Sequence, residues 1–308
     1  MKLYIALTDY QWYKFLKNKP EIDEVNFWQP GGHSTFQILS PGEVFLFKLH
    51  SPDNRIVGGG FFAYYKKLPL NYAWLAFGEK NGAGSIDFMH KSIARYRNQS
   101  NANQDYKIGC IILIQPFFFG ENNFMNSPED WKPGIRQGKS YDTTTDIGKR
   151  LWQDVQLRIE SNKDPVRKFM LSEERPRYGK PIEVFSRLGQ GAFRVIVTDI
   201  YNRRCAVTKE RTLPALEASH IKPYAESGPH DVRNGLLLRS DIHQLLDAGY
   251  VTISPDYHFE VSKHIREEFE NGQDYYKMHG NRLYLPNDTE YYPDQKFIKW
   301  HNDNKFRG

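Results

Sequence analysis

The chain has 308 residues, a formal net charge of +5, 39% hydrophobic and 15% aromatic residues, and a mean hydropathy of -0.68, which bounds it at one large or two ordinary domains. Runs of about 18 apolar residues, needed to span a membrane, are missing, and polar residues interrupt the opening stretch too early for a secretory signal. Two cysteines, Cys110 and Cys205, exclude a disulfide framework and a four-thiolate zinc knuckle, so a soluble protein of the cytoplasm is expected.

In chain order, Leu3–Thr8 reads as a strand, and Asp9 can cap a short helix running to Leu16. Glu24–Trp28 and Val44–His50 are strand-like, the second apolar enough to be buried on both faces. Ile56–Tyr65 is a further strand, with Gly58-Gly59-Gly60 marking a bulge or a close backbone approach. Tyr72–Phe77 and Ile86–Arg97 read as helices, and Ile108–Gln115 as an apolar strand. Phe124–Asp146 is polar and reads as loop, and Ile147–Ile159 has helical spacing with Leu151, Val155 and Ile159 on one side. An α+β protein follows, with residues 1–160 as a first domain, 161–182 as a basic linker and 183–308 as a second domain.

Charge is uneven. Residues 150–211 hold fourteen Lys and Arg against eight Asp and Glu, a net +6, while the rest of the chain nets −1. A basic flank of this kind suits phosphate binding. Gln190–Tyr201 reads as a helix closing a second core beside Cys205, which is expected to be a small buried thiol.

Leu216–Asp247 carries the chemistry. His220 ends an alternating strand, a Gly-, Pro- and Asn-containing loop follows, Gly235–Arg239 is the returning strand, and Ser240 or Asp241 can cap a helix bearing His243 and Asp247. A neutral imidazole, with an ordinary pKa of about 6.5, can take a proton from water near neutral pH. That role fits His220. Its tautomer must be held by a partner on the other ring nitrogen, an Asn side chain or a nearby carbonyl, a role that fits Asn234. His243 can ligate a metal, and Asp247, four residues on, shares its helix face. Beyond this unit, Tyr250–Ile253 and His258–Val261 form a hairpin and Lys263–Glu270 a helix, with His301 read as a surface residue.

The segment resembles the HNH, or ββα-metal, endonucleases. The resemblance rests on Arg204-Cys205-Ala206-Val207-Thr208, on Ala218-Ser219-His220-Ile221-Lys222-Pro223, on Asn234-Gly235, and on the nine-residue step from Asn234 to His243. It implies catalytic His220, Asn234 and His243 and one divalent metal, Mg2+ or Mn2+ first, Ni2+ or Zn2+ next. Many members carry an Asp or His ligand where this chain has Ser219. Glu217 shares a strand face with Ser219 and is long enough to reach a metal in its place, so the metal set is His243, Asp247 and Glu217.

Residues 1–120 resemble the EVE domains of the PUA superfamily, through Tyr4–Thr8, Asn26-Phe27-Trp28, Pro41-Gly42-Glu43, Val44–Leu49 and Ile56-Val57-Gly58. The resemblance implies a small β-barrel with short helices that holds one flipped, modified nucleobase between aromatics, with Trp28 and Trp74 as walls and Tyr72 and Phe61 beside them. Together the two resemblances imply a modification-dependent restriction endonuclease of phage defence that acts on double-stranded DNA, as a homodimer if both strands are cut. Three alternatives stay open: a nuclease whose first domain reads sequence or RNA, an effector nuclease triggered by a small nucleotide, and a non-catalytic modified-base binding protein.

Overall fold

The structure is a computed structural model and describes residues 1–31, 35–97, 106–161 and 188–308. It divides into two compact units, Met1–Val184 and Phe185–Gly308. Apart from Ser161, the expected linker over 161–182 lies outside the described residues. The chain is α+β throughout, with strands and helices interspersed in both units.

The first unit is built on one seven-stranded mixed sheet: β1 (Lys2–Thr8), β2 (Glu24–Gln29), β3 (Val44–Leu49), β4 (Arg55–Pro69), β5 (Lys107–Phe118), β6 (Met125–Asn126) and β7 (Gly138–Asp142). The order is β2-β5-β4-β3-β1-β7, with β6 paired to β4, and β1 runs parallel to β3 while the other pairs are antiparallel. All six residues of β3 are buried, the apolar ones as a strand covered on both faces requires, and Lys48 with its ammonium donating to the Leu49 carbonyl and to Asn54 Oδ1, both at 3.0 Å. On one face Tyr4, Phe27, Phe45, Phe47 and Phe62 join Trp12, Tyr13 and Leu16 of α1 (Tyr10–Lys17) in an aromatic core. The Gly58–Gly60 run coincides with a register shift between β4 and β5 at Gly59 and Phe61, the expected bulge.

Two expectations change here. Residues 124–146 are not all loop, because β6 and the polar β7 lie within them and β7 pairs with β1 at the sheet edge. Asp9 precedes α1 but makes no side-chain cap, since its carboxylate accepts the Tyr96 hydroxyl at 2.5 Å instead. The helices α2 (Leu70–Phe77), α3 (Ile86–Arg97) and α4 (Asp146–Ser161) complete the unit.

The second unit is organised around α5 (Gln190–Ile200), which is buried along most of its length. Against it lies the hairpin of β8 (Leu216–His220) and β9 (Gly235–Arg239), registered from Leu216 opposite Arg239 to His220 opposite Gly235. Gly235 permits this approach: a Cβ there would lie 2.6 Å from Val197 Cγ2 and 3.0 Å from the Phe193 ring. The helix α6 (Ser240–Asp247) follows directly and buries Ile242 and Leu246. Ser240 is its first residue and not a cap, and the Asp241 carboxylate pairs with Arg239 at 2.6 Å. The hairpin of β10 (Val251–Ile253) and β11 (Phe259–Val261), then α7 (His264–Phe269), α8 (Gln273–Tyr276) and α9 (Gln295–Asn304), close the core.

His301 is a correction. It is 2% exposed, with Nε2 donating to the Leu246 carbonyl at 3.0 Å and Nδ1 2.8 Å from Thr252 Oγ1. It ties α9 to the end of α6. Cys205 is a buried free thiol whose sulfur accepts the backbone N–H groups of Thr208 and Arg239.

Candidate active site

Strand alternation places Glu217 and Ser219 on one side of β8 and leaves His220 at its end. Ser219 is 1% exposed and its hydroxyl turns to the neighbouring His220 carbonyl at 3.4 Å, so it offers no open oxygen. The His220 ring lies flat on Phe193 of α5, with centroids 4.0 Å apart and planes 6° from parallel. Its Nε2 lies 2.9 Å from Nδ1 of His230, in the loop between β8 and β9. Burial, reinforced by the nearby imidazoles of His230 and His243, lowers the His220 pKa to about 4. The ring is therefore neutral at pH 7, as a proton acceptor must be.

Asn234 does not contact the His220 ring. It is fully buried, its Oδ1 accepts the Lys222 N–H at 2.8 Å, and its Nδ2 donates to the carbonyls of Lys222 at 2.9 Å and Pro229 at 3.0 Å. A buried amide must satisfy both ends, and here both ends close the β8–β9 loop. The partner on His220 is instead His230, which no motif or spacing in the sequence singles out. A histidine inside a loop has no periodicity to reveal it, and the one available signal was its place between Pro229 and Asp231.

On α6, His243 meets both expected carboxylates. Glu217 Oε2 lies 2.6 Å from Nδ1 and Asp247 Oδ2 lies 3.3 Å from Nε2. The two ring nitrogens point in divergent directions, so the carboxylates occupy opposite ends of one imidazole. Accordingly, no group of three or more His, Cys, Asp or Glu among the described residues is arranged to hold one metal ion. The expected set of three ligands is brought together but does not converge on a point.

In the first unit Trp28 lines a cavity of about 250 Å³ together with Trp12, Phe27, Tyr96, Asp9, His50 and Arg136. Trp12 and Trp28 donate their indole N–H groups to one carbonyl, that of Asn81, at 3.1 and 2.9 Å. Asn81 is itself fully buried and bonded to Asn26, Ala73 and Gly78. Gly82 next to it has φ +76°, and a Cβ there would fall 2.1 Å from the Trp12 ring. Trp74, Tyr72 and Phe61 do not line this cavity. Phe61 is a core residue, 6% exposed and edge-on to Phe117, while Tyr72 and Trp74 are carried by α2.

The HNH endonuclease family model matches residues 205–254. This segment is an HNH endonuclease domain. It spans the β8–β9 hairpin, α6 and β10, and so contains His220, His230, Asn234, His243 and Asp247. No curated protein matches the sequence. Among solved structures, an ASCH protein from Zymomonas mobilis is 8% identical at a TM-score of 0.36, covering 49% of this chain and 94% of its own. The modification-dependent TagI restriction endonuclease is 13% identical at a TM-score of 0.29, covering 99% of this chain and 81% of its own. The phosphorothioation-dependent type IV restriction endonuclease ScoMcrA is 11% identical at a TM-score of 0.21, covering 78% of this chain and 51% of its own. No helix among the described residues is long and apolar enough to cross a membrane.

Proposed function

We propose that the chain is a modification-dependent DNA endonuclease, with a first unit that reads a modified base and an HNH domain that hydrolyses phosphodiester bonds. The observation that carries the nuclease half is His220, a neutral, partly buried imidazole inside the HNH-matched segment and within electrostatic reach of His243. His220 takes a proton from the attacking water. The water oxygen bonds to phosphorus, and the bond from phosphorus to the departing sugar oxygen breaks, with solvent protonating that oxygen.

The three groups do not converge, so a divalent cation such as Mg2+, Mn2+, Ni2+ or Zn2+ would find here one His243 nitrogen and one carboxylate, the remaining positions being left to water and phosphate. Held at one nitrogen of His243 with the carboxylate on that side, the ion would supply Lewis-acid stabilisation of the phosphate charge. The carboxylate on the other nitrogen then orients the ring. Asn234 shapes the loop and acts on the chemistry only through it.

The reader half rests on the cavity at Trp28. Its volume of about 250 Å³ falls below the ~300–1,000 Å³ typical of drug-sized ligands, and it is walled by indole and phenol rings with Asp9, His50 and Arg136 available to read polar edges. A base extruded from a duplex needs such stacking walls. A free nucleotide would use the same rings, so the reading is tested by digestion of plasmid and phage DNAs with different base modifications, with each divalent metal in turn. Cleavage confined to modified DNA without added nucleotide supports it. Cleavage that requires a small nucleotide favours the effector reading. With one active site per chain, a double-strand break calls for two chains.

A further inference from the structure

The β8–β9 loop presents His230 to His220 through a chain of anchored neighbours. On one side, the Pro229 carbonyl is held by Asn234 Nδ2 at 3.0 Å. On the other, Asp231 is 2% exposed and paired with Arg233 at 2.6 Å. The His230 ring is also stacked on one face, lying parallel to Tyr224 with centroids 4.5 Å apart and planes 10° from parallel. Phe193 stacks beneath His220 in the same manner. Two imidazoles, each fixed by an aromatic ring, thus face one another across a single 2.9 Å contact from His220 Nε2 to His230 Nδ1.

That contact holds one proton, and its placement decides whether His220 can work as a base. If His230 Nδ1 carried it, neutral His220 would have its own proton on Nδ1 and no lone pair left for water. If His220 Nε2 carries it, His230 Nδ1 accepts, and His220 Nδ1 becomes the ring's one basic nitrogen. We propose that His230 is a positioning residue that accepts the His220 Nε2–H, locks His220 in the Nε2–H tautomer, and leaves Nδ1 to receive the proton from water. Asn234 then acts at one remove, by fixing the loop that carries His230. The direction of the proton rests on the nuclease reading, while the 2.9 Å contact that holds it does not.

Two measurements on the full chain test it. The first is the 15N spectrum of histidine-labelled protein, with His220 assigned by the signal lost in His220→Ala. The expected result is a single Nε2–H tautomer in the wild-type protein, giving way to a mixture in His230→Phe. Phe keeps the stack on Tyr224 but has no acceptor, whereas Gln restores a carbonyl acceptor without the stack. The second measurement is single-turnover cleavage beside DNA and metal affinity. His230→Phe should slow cleavage by roughly 10- to 100-fold with both affinities unchanged, and His230→Gln should recover part of the loss. A wild-type Nδ1–H tautomer overturns the proposal, as does a folded His230→Phe that cleaves at the wild-type rate. If the wild-type chain cuts no DNA, the nuclease reading fails, and the tautomer measurement still decides the role of His230.

Discussion

Glu217 Oε2 lies 2.6 Å from His243 Nδ1, so a residue of the first hairpin strand meets the helix that follows the second strand. Asp247 holds the other nitrogen, at 3.3 Å, one helical turn on. An ion can take one of these ends, and the carboxylate at the other end then orients the ring. Glu217→Gln and Asp247→Asn should therefore both lower activity but differ in kind. The ligand's loss removes a bond to the metal, while the orienting residue's loss weakens metal affinity by roughly 10- to 100-fold. Metal titrations of cleavage and of heat release separate the two. A variant with unchanged metal dependence identifies its carboxylate as structural.

His220→Ala should leave DNA binding intact and slow cleavage by about 10²- to 10⁴-fold, the usual contribution of a general base. Near-wild-type cleavage by this variant removes His220 from the chemistry. The pH profile follows from the same residue. A base works only when unprotonated, and His220 is held down to about 4. Its contribution should stay flat from neutral pH to about 5 and fall as pH drops through about 4. A fall centred near the ordinary histidine value of about 6.5 would contradict the buried geometry.

Stability should also fall in acid. The unfolded chain takes up a proton on His220 as pH drops through about 6.5, but the folded chain resists until about 4. His301 is displaced in the same direction by burial. The folded state thus binds fewer protons than the unfolded one, and stability present above the unfolded value is lost as pH falls towards the folded values. Each fully displaced group contributes a slope of at most ~1.4 kcal/mol per pH unit. Denaturant unfolding of metal-free protein between pH 7 and pH 4 checks this, and His301→Asn should flatten the dependence.

Asn234 should behave as a structural residue as well as an essential one. Asn234→Ala leaves the partly buried backbone groups of Lys222 and Pro229 without this partner, at a cost of about 1–3 kcal/mol at most. An activity loss with unchanged unfolding free energy would instead return Asn234 to direct contact with the chemistry.

The sequence made the ββα unit legible because each of its parts has a local rule. Alternation gives β8, glycine and proline give the loop, and Ser240 and Asp241 mark the start of the helix. Those rules place residues on elements and say nothing of partners. Hence Asn234 was assigned to a ring it does not touch, while His230, in a loop without periodicity, was missed. His301 went astray differently. Phe297, Ile298 and His301 share the buried face of α9, a helical spacing that the sequence of the tail carries. In the first unit, Trp28 was recoverable from its strand, but its neighbours Trp12 and Tyr96 come from α1 and α3, and only tertiary structure brings them to it. Trp74 shared the residue type without sharing the place.

The proposed base-reading role can be separated from the proposed cleavage by measuring DNA binding in full-length His220→Ala, which should bind without cutting. In that background, DNA with the recognised modification should bind more tightly than the same unmodified DNA. Stacking of one base on an aromatic is worth about 1–3 kcal/mol, so Trp28→Ala should weaken binding of modified DNA by roughly ten- to a hundredfold. Unmodified DNA, held mainly through its phosphates, should be little affected. Trp28→Phe keeps a ring but gives up the N–H bond to the Asn81 carbonyl, and should fall between the two. Gly82→Ala offers an independent route to the same wall. The residue has φ +76°, and its added Cβ would meet the Trp12 ring at 2.1 Å, so the pocket must shift although no lining side chain has changed. Gly82→Ala should therefore lower both thermal stability and modified-base preference, while Trp28→Ala should lower preference with a smaller effect on stability. Trp28→Ala that unfolds the first unit would mark the ring as core, and Trp28→Ala that binds modified DNA with full preference would move the reading site away from this cavity.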